Sequence, residues 1–254
     1  MKNRFLNLYS KELKSSLNMA IVFTIINIGW YIFLFSRKWS WNQELIVGLS
    51  FIPLAVLPFV YMLKGFLSIR KEWKEDTIFA LLSLPVPGWH ITVSKLSSAM
   101  TYCLIQSLIS VAGIYLVSNL YIHSLFLMVP STIAKSFVVK FIIGIFFAHL
   151  VLIAFNYIVC QFSYIISRLF DRFIGLITGI TFLISYWFIS RVSNLLIPLF
   201  RWLPDFSLQE WGYRNGVYQH GIQQIESAPF IVPVIVVIGL LILSSWLLEN
   251  VLEV

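Results

Sequence analysis

The residues that could do chemistry are few, and several lie where water is scarce. Asn27, Gln106, His149 and Asn156 fall inside long apolar blocks. A polar side chain in such a block either hydrogen-bonds to a neighbouring helix or lines a path for something polar. His149 and Asn156 are seven residues apart, so on a helix they share a face. The remaining histidines, His90, His123 and His220, are scattered over separate segments, and no HExxH pattern occurs, so no metal site is expected. No GxxxxGK(S/T) pattern occurs either, so the chain has no P-loop for nucleotide phosphates. Glu44, Asp171 and Glu249 lie near block ends rather than mid-block. That placement argues against paired carboxylates for hydrolysis and against a carrier driven by protons or sodium. Ser50, in VGLSF, lacks a partner histidine. Cys103 and Cys160 sit within apolar blocks and read as small buried packing residues. No catalytic residue and no bound cofactor are expected.

The blocks that hold these residues must be helices crossing a membrane. Of 254 residues, 59% are hydrophobic, 17% aromatic and 11% charged, with mean hydropathy +0.87. A soluble domain carries about 25% charged residues. The deficit excludes a water-soluble globular enzyme, a disordered chain and a disulfide-built secreted domain. The apolar residues run in blocks of about twenty, not in alternating strands of about ten, so the expected class is an all-α polytopic membrane protein rather than a β-barrel. Six blocks stand out: Met19 to Phe35, Leu45 to Leu63, Leu96 to Val117, Phe141 to Gln161, Phe173 to Ser190 and Phe230 to Leu248. Without water to pair with, the backbone of each is forced into a helix. Leu120 to Pro130 is also apolar, but its eleven residues are too few for a seventh span. The chain reads as one transmembrane domain over 1–254. No cleavable signal peptide is expected, because the first block is long enough to span.

The net charge of +7 is distributed around the spans, which fits topology and lipid headgroups rather than nucleic acid. Eleven basic residues, from Lys2 to Arg172, flank the spans on one side and seven, from Arg37 to Arg214, on the other. The bias is strongest around the first two spans, so both termini are expected in the cytoplasm. Residues 1–18 place Phe5, Tyr9, Leu13 and Leu17 on one helical face and most of the basic residues off it. That pattern predicts an amphipathic helix lying on the membrane surface before it turns into the first span. Residues 191–228 form the longest external segment, broken by Pro198 and Pro204, with Arg201, Trp202 and Trp211 suited to the headgroup level. Re-entrant or interfacial helices are expected there, before the sixth span. Gly175 and Gly179 form a GxxxG on the fifth span, a spacing that lets helices pack closely within the bundle or between two chains.

The loop 64–95 between the second and third spans is the most polar cytoplasmic stretch. Glu72, Glu75 and Asp76 precede an apolar run, and acidic groups suit the first turn of a helix. Pro85, Pro87 and Gly88 stop that helix. An apolar, aromatic helix projecting into the cytosol needs a partner, so the loop reads as a docking surface.

The segment EWKEDTIFALLSLPVPGWHITVSK, Glu72 to Lys95, resembles the loop between the second and third spans of type-2 ABC exporter permeases. The family pattern is an acidic residue, Gly-Thr, a Leu-rich turn, Ser-x-Pro-Val and a Lys opening the next span. Glu72, Thr77, Leu81, Leu82, Ser83, Pro85, Val86 and Lys95 match it, and Asp76 stands where Gly is usual. The resemblance implies that the loop is a coupling helix docking on a separate cytosolic ATP-binding subunit, which carries the ATP and Mg. It also implies that a second permease subunit, identical or homologous, completes the pathway in a bacterial plasma membrane. On this reading Trp73, Ile78, Phe79 and Leu82 bury against the ATPase, Glu72, Glu75 and Asp76 offer charge pairs at the rim, and Thr77 belongs to the same docking surface. The aromatic-rich, nearly charge-free spans point to an amphipathic substrate such as a drug or antimicrobial peptide. Two other classes compete: a non-transporting membrane scaffold or sensor that recruits a partner through the same loop, and an ion-coupled carrier.

Overall fold

The computed structural model describes residues 2–75, 77–78, 86–121, 135–170, 172–214 and 217–250. Six of its helical segments are long and apolar enough to cross a membrane: Arg4–Ser36, Gln43–Lys74, Gly88–Asn119, Ile142–Ser167, Ile174–Phe200 and Ala228–Asn250. These coincide with the six expected blocks. As elements they are α1 (Lys2–Ser36), α2 (Gln43–Ser50) with α3 (Ile52–Lys74), α4 (Gly88–Tyr121), α5 (Lys135–Ser167), α6 (Ile174–Leu196) and α7 (Ala228–Asn250). Past Tyr121, the stretch 122–130 lies outside the described residues.

The first span differs from expectation. Its N-terminal segment does not lie apart on the surface, because α1 is one helix of 35 residues. No Pro or Gly occurs before Gly29 to break it, and propagating a helix costs less than restarting one. Part of the predicted apolar stripe, Phe5 and Tyr9, faces α4 instead, while Leu17 is exposed. The Tyr9 and Thr101 hydroxyls share a 2.8 Å hydrogen bond, Tyr102 donates to the Leu13 carbonyl at 3.0 Å, and Phe5 stacks on Trp89.

The 191–228 segment is a second correction. Helix α6 continues to Leu196, a 3-10 turn follows over Ile197–Phe200, and then comes an antiparallel hairpin, β1 (Phe206–Arg214) with β2 (Val217–Ile225). The register pairs Phe206 with Ile225 and Arg214 with Val217. Pro198 and Pro204 deny this stretch a long helix. The Asn215-Gly216 pair between the two runs is the strongest short-range hairpin signal a sequence carries.

The bundle packs α3 on α5, α1 on α4, and α5 against α6 and α7. One apolar core joins Ile69, Ile158, Ile165, Ile189, Val237 and Leu248, and a second joins Leu57, Tyr61, Cys103, Ile153 and Tyr157. Gly65 sets the α3–α5 approach: a Cβ there would lie 2.6 Å from the Tyr157 carbonyl oxygen. By contrast, a Cβ at Gly175 or Gly179 would meet nothing within 4 Å, so the GxxxG face of α6 packs on no other described helix of this chain.

Candidate functional site

At the end of the bundle where α3 runs out and α4 begins, three helices converge on one buried cation. Lys95, seven residues into α4, is 2% exposed. Its Nζ donates to Glu12 Oε1 of α1 at 2.8 Å, to Glu72 Oε1 of α3 at 3.0 Å and to the Ser68 carbonyl at 3.3 Å. Lys11 Nζ approaches Glu72 Oε1 at 3.4 Å from the exposed side. The Thr77 hydroxyl donates to the second carboxylate oxygen of Glu72. Two cations and two carboxylates therefore balance, and three of the four are buried. A buried charge is tolerated only when it is paired and hydrogen-bonded, and here each has its partner.

Glu72, Thr77 and Lys95, matched one by one from the sequence, thus meet in space. Glu72 stands in a different place from the one expected: it is turned inward and paired, not presented at a rim. Ile78 is likewise buried, against Leu8 and Ile91. Trp73 is half-buried, with the Arg168 guanidinium 4.8 Å from its ring. Thr77 is half-buried and Glu75 is exposed. Asp76, Phe79 and Leu82 lie outside the described residues. The physical reason for the inward turn is Lys95, whose desolvated ammonium needs carboxylates.

Sequence reasoning missed the Lys95–Glu12 pair. The available signal was a lone acid among the basic residues of the N-terminal segment, KELK. It also placed Lys64 among the topology-setting flanks, whereas Lys64 is buried with its ammonium 5.4 and 5.3 Å from the Tyr61 and Tyr102 rings. The start of α4 is held from another side too. Glu249 of α7 accepts the Gly88 N–H at 3.1 Å, and the Thr92 and Ser245 hydroxyls share a 2.7 Å hydrogen bond. A Cβ at Gly88 would lie 2.4 Å from the Ser245 carbonyl oxygen, so only glycine permits this approach.

The intramembrane polar residues divide into two pairs. Asn27 donates to Ser110 at 2.8 Å; Gln106 accepts from Tyr61 at 3.1 Å and donates to the Ala20 carbonyl at 3.2 Å. Both tie helices together. His149 and Asn156 instead line an open groove of about 500 Å³ between α3 and α5. Asn156 is paired, donating to the Leu152 carbonyl at 2.7 Å and accepting from the Tyr186 hydroxyl. Nε2 of His149 has no partner. Among the described residues no group of His, Cys, Asp or Glu is arranged to hold a metal ion.

Six apolar spans around a buried ionic anchor define a multi-pass membrane protein. The chain belongs to the ABC-2 transporter family: residues 10–179 match the model described as ABC-2 family transporter protein. It is a type-2 ABC transporter permease, the transmembrane component of an ABC transporter. Permeases of this family generally work with ATP-binding subunits and are generally not catalytic themselves. No curated protein and no solved structure matches the chain. The matched span contains Glu12, Glu72, Thr77 and Lys95; the hairpin and α7 lie beyond it.

Proposed function

We propose that the chain is the membrane subunit of an ATP-driven exporter, working as a pair of permeases with a separate ATP-binding subunit that carries ATP and Mg. Both termini and the 64–95 segment face the cytoplasm of a bacterial plasma membrane. The observation that carries the reading is the ion cluster. It fixes the root of that segment to α1, α3 and α4 at once, so a displacement delivered there reaches three spans. Thr77 links the cluster to the segment itself, and Glu249 and Ser245 extend the attachment to α7.

In this mechanism ATP-driven closure of the partner pushes the segment. The spans then move as packed bodies and the pathway alternates between the two sides. Glu75 and Lys74, exposed at the end of α3, border the docking surface, and Phe79 and Leu82 are its apolar anchors. Glu72 acts from inside as the brace. The substrate is an amphipathic compound such as a drug or antimicrobial peptide, in keeping with aromatic, nearly charge-free spans.

The test is affinity purification of the tagged chain in mild detergent. A stoichiometric P-loop ATPase that is lost in Phe79→Asp and Leu82→Asp supports the reading. A chain that purifies alone, in detergent and in nanodiscs, overturns it.

A further inference from the structure

Helices α1 and α3 leave a seam between them. α1 packs on α4, and α3 packs on α4 and α5, but α1 and α3 barely approach each other. Side chains bridge the gap at its charged end: Lys11 to Glu72 at 3.4 Å, and Lys71 to the Ser15 hydroxyl at 2.9 Å. Helical spacing sets the two walls. Lys11, Ser15, Met19 and Phe23 follow one face of α1, and Val60, Lys64, Leu67 and Lys71 follow one face of α3. The floor is α4, with Tyr102 and Gln106. With depth the seam narrows to a void of about 10 Å³ beside Met19, Phe23, Val60 and Lys64, room for one water. A larger ligand therefore meets the seam at its mouth.

The charges in the seam do not balance. Glu12 and Glu72 are matched by Lys95 and Lys11. Lys64 and Lys71 are left over: among the described residues neither forms an ion pair, and Glu75, one turn beyond Lys71, pairs with neither. Lys64 is 7% exposed and its ammonium rests on the Tyr61 and Tyr102 rings. Ring faces attract a cation but carry no net charge to neutralise it. Glu12 reaches Lys64 through its longer-range field alone. A buried ammonium is tolerated when an opposite charge stands close, so the seam calls for an anion. Its level says where that anion comes from. Lys11 and Ser15 lie within Arg4–Ser36, and Lys64 and Lys71 within Gln43–Lys74, both segments long and apolar enough to cross a membrane. Near the ends of such segments the anions at hand are lipid headgroup phosphates, which basic pockets between spans bind.

We infer that the mouth of the α1–α3 seam is a binding site for the headgroup phosphate of an anionic phospholipid. Lys71 and the Ser15 hydroxyl hold the phosphate directly. That hydroxyl accepts from Lys71 and keeps its own proton to donate to a phosphate oxygen. Lys64, two turns further in on the same face, adds the field of a charge with little water to screen it. The exposed Leu17, Leu63 and Leu67 give the acyl chains a surface outside the seam. A zwitterionic headgroup brings its own ammonium and no net charge, so it is the weaker ligand. The lipid is a resident counter-ion of the bundle, not a compound carried across it, and the site stands without the exporter reading.

The test is native mass spectrometry of the full chain released from nanodiscs that hold equal amounts of phosphatidylglycerol and phosphatidylcholine with the same acyl chains. The expected result is preferential retention of phosphatidylglycerol. Lys71→Gln and Lys64→Met should each lower the preference about fivefold, and the double variant should bring it close to one. Lys64→Met removes a buried charge that has no carboxylate partner, so the variant keeps its fold. Arg37→Gln with Lys38→Gln removes two exposed cations at the opposite end of α1 and should leave the preference intact. Equal retention of the two lipids, or a preference unchanged in the Lys64→Met, Lys71→Gln double variant, overturns the inference and leaves the two cations to a soluble anion or an acidic partner. A preference that the Arg37 and Lys38 replacements remove as completely also overturns it, since general surface charge would then be the cause.

Discussion

Replacing Lys95 by methionine keeps an unbranched side chain, one atom shorter, and removes its charge. In the native cluster Lys95 serves Glu12 at 2.8 Å and Glu72 at 3.0 Å. After the replacement the two carboxylates fare differently. Glu72 retains Lys11 at 3.4 Å and the Thr77 hydroxyl. Among the described residues, Glu12, buried on α1, is then left with the longer-range field of Lys64. Removing one partner of a buried pair costs about 3–5 kcal/mol, mostly the penalty of the charge left behind. That is a large share of a total stability of about 5–15 kcal/mol. The stranded charge is Glu12, so Glu12→Gln added to Lys95→Met should recover part of the loss. The assay is reversible unfolding in mixed SDS micelles for the parent, both single variants and the double variant. The expected order places the double variant above Lys95→Met. Additivity of the two single losses, or a Lys95→Met loss below about 1 kcal/mol, would refute the account of the cluster.

Three further outcomes follow from contacts elsewhere. Gly65→Val forces its side chain onto the Tyr157 carbonyl at the α3–α5 crossing and should destabilise by about 1–3 kcal/mol in the same assay. Asn27→Leu removes the bond to Ser110 and should lower stability by about 0.6 kcal/mol, and by no more than about 1.7. Glu249→Ala uncaps the first turn of α4, so amide exchange at Gly88 should speed up while total stability falls by about 1 kcal/mol.

The six spans were legible because a lipid core imposes length, apolarity and helicity together, and each block satisfied all three. The resemblance at Glu72, Thr77 and Lys95 was legible as a string of residue types. What joins them was not, since Glu12 and Lys95 are 83 residues apart and on different helices. Nothing local distinguishes a lysine that flanks a span from one turned into the bundle, which is why Lys64 was assigned to the wrong surroundings. The hairpin was missed for another reason. Trp202, Trp211 and the prolines read as interfacial signals in so apolar a chain, and they mask the two strand-like runs around Asn215-Gly216. The division of the polar residues also needed the fold, because Gln106 and His149 look alike in sequence until their neighbours are known.

The unbroken course of α1 has a mechanical consequence. Between Glu12, held by Lys95, and Ser36, at its far end, lie 24 residues of continuous helix, about 36 Å. A tilt of about 10° pivoting on Glu12 carries Ser36 sideways by about 6 Å, roughly the width of a hydrated ion or an acyl chain. No joint along the way absorbs the rotation. Tyr31 donates to the Ser110 carbonyl at 2.9 Å near that far end, so α4 is carried along with α1 rather than left behind. A small angular change at the charged end is thereby converted into an aperture-sized displacement at the opposite face.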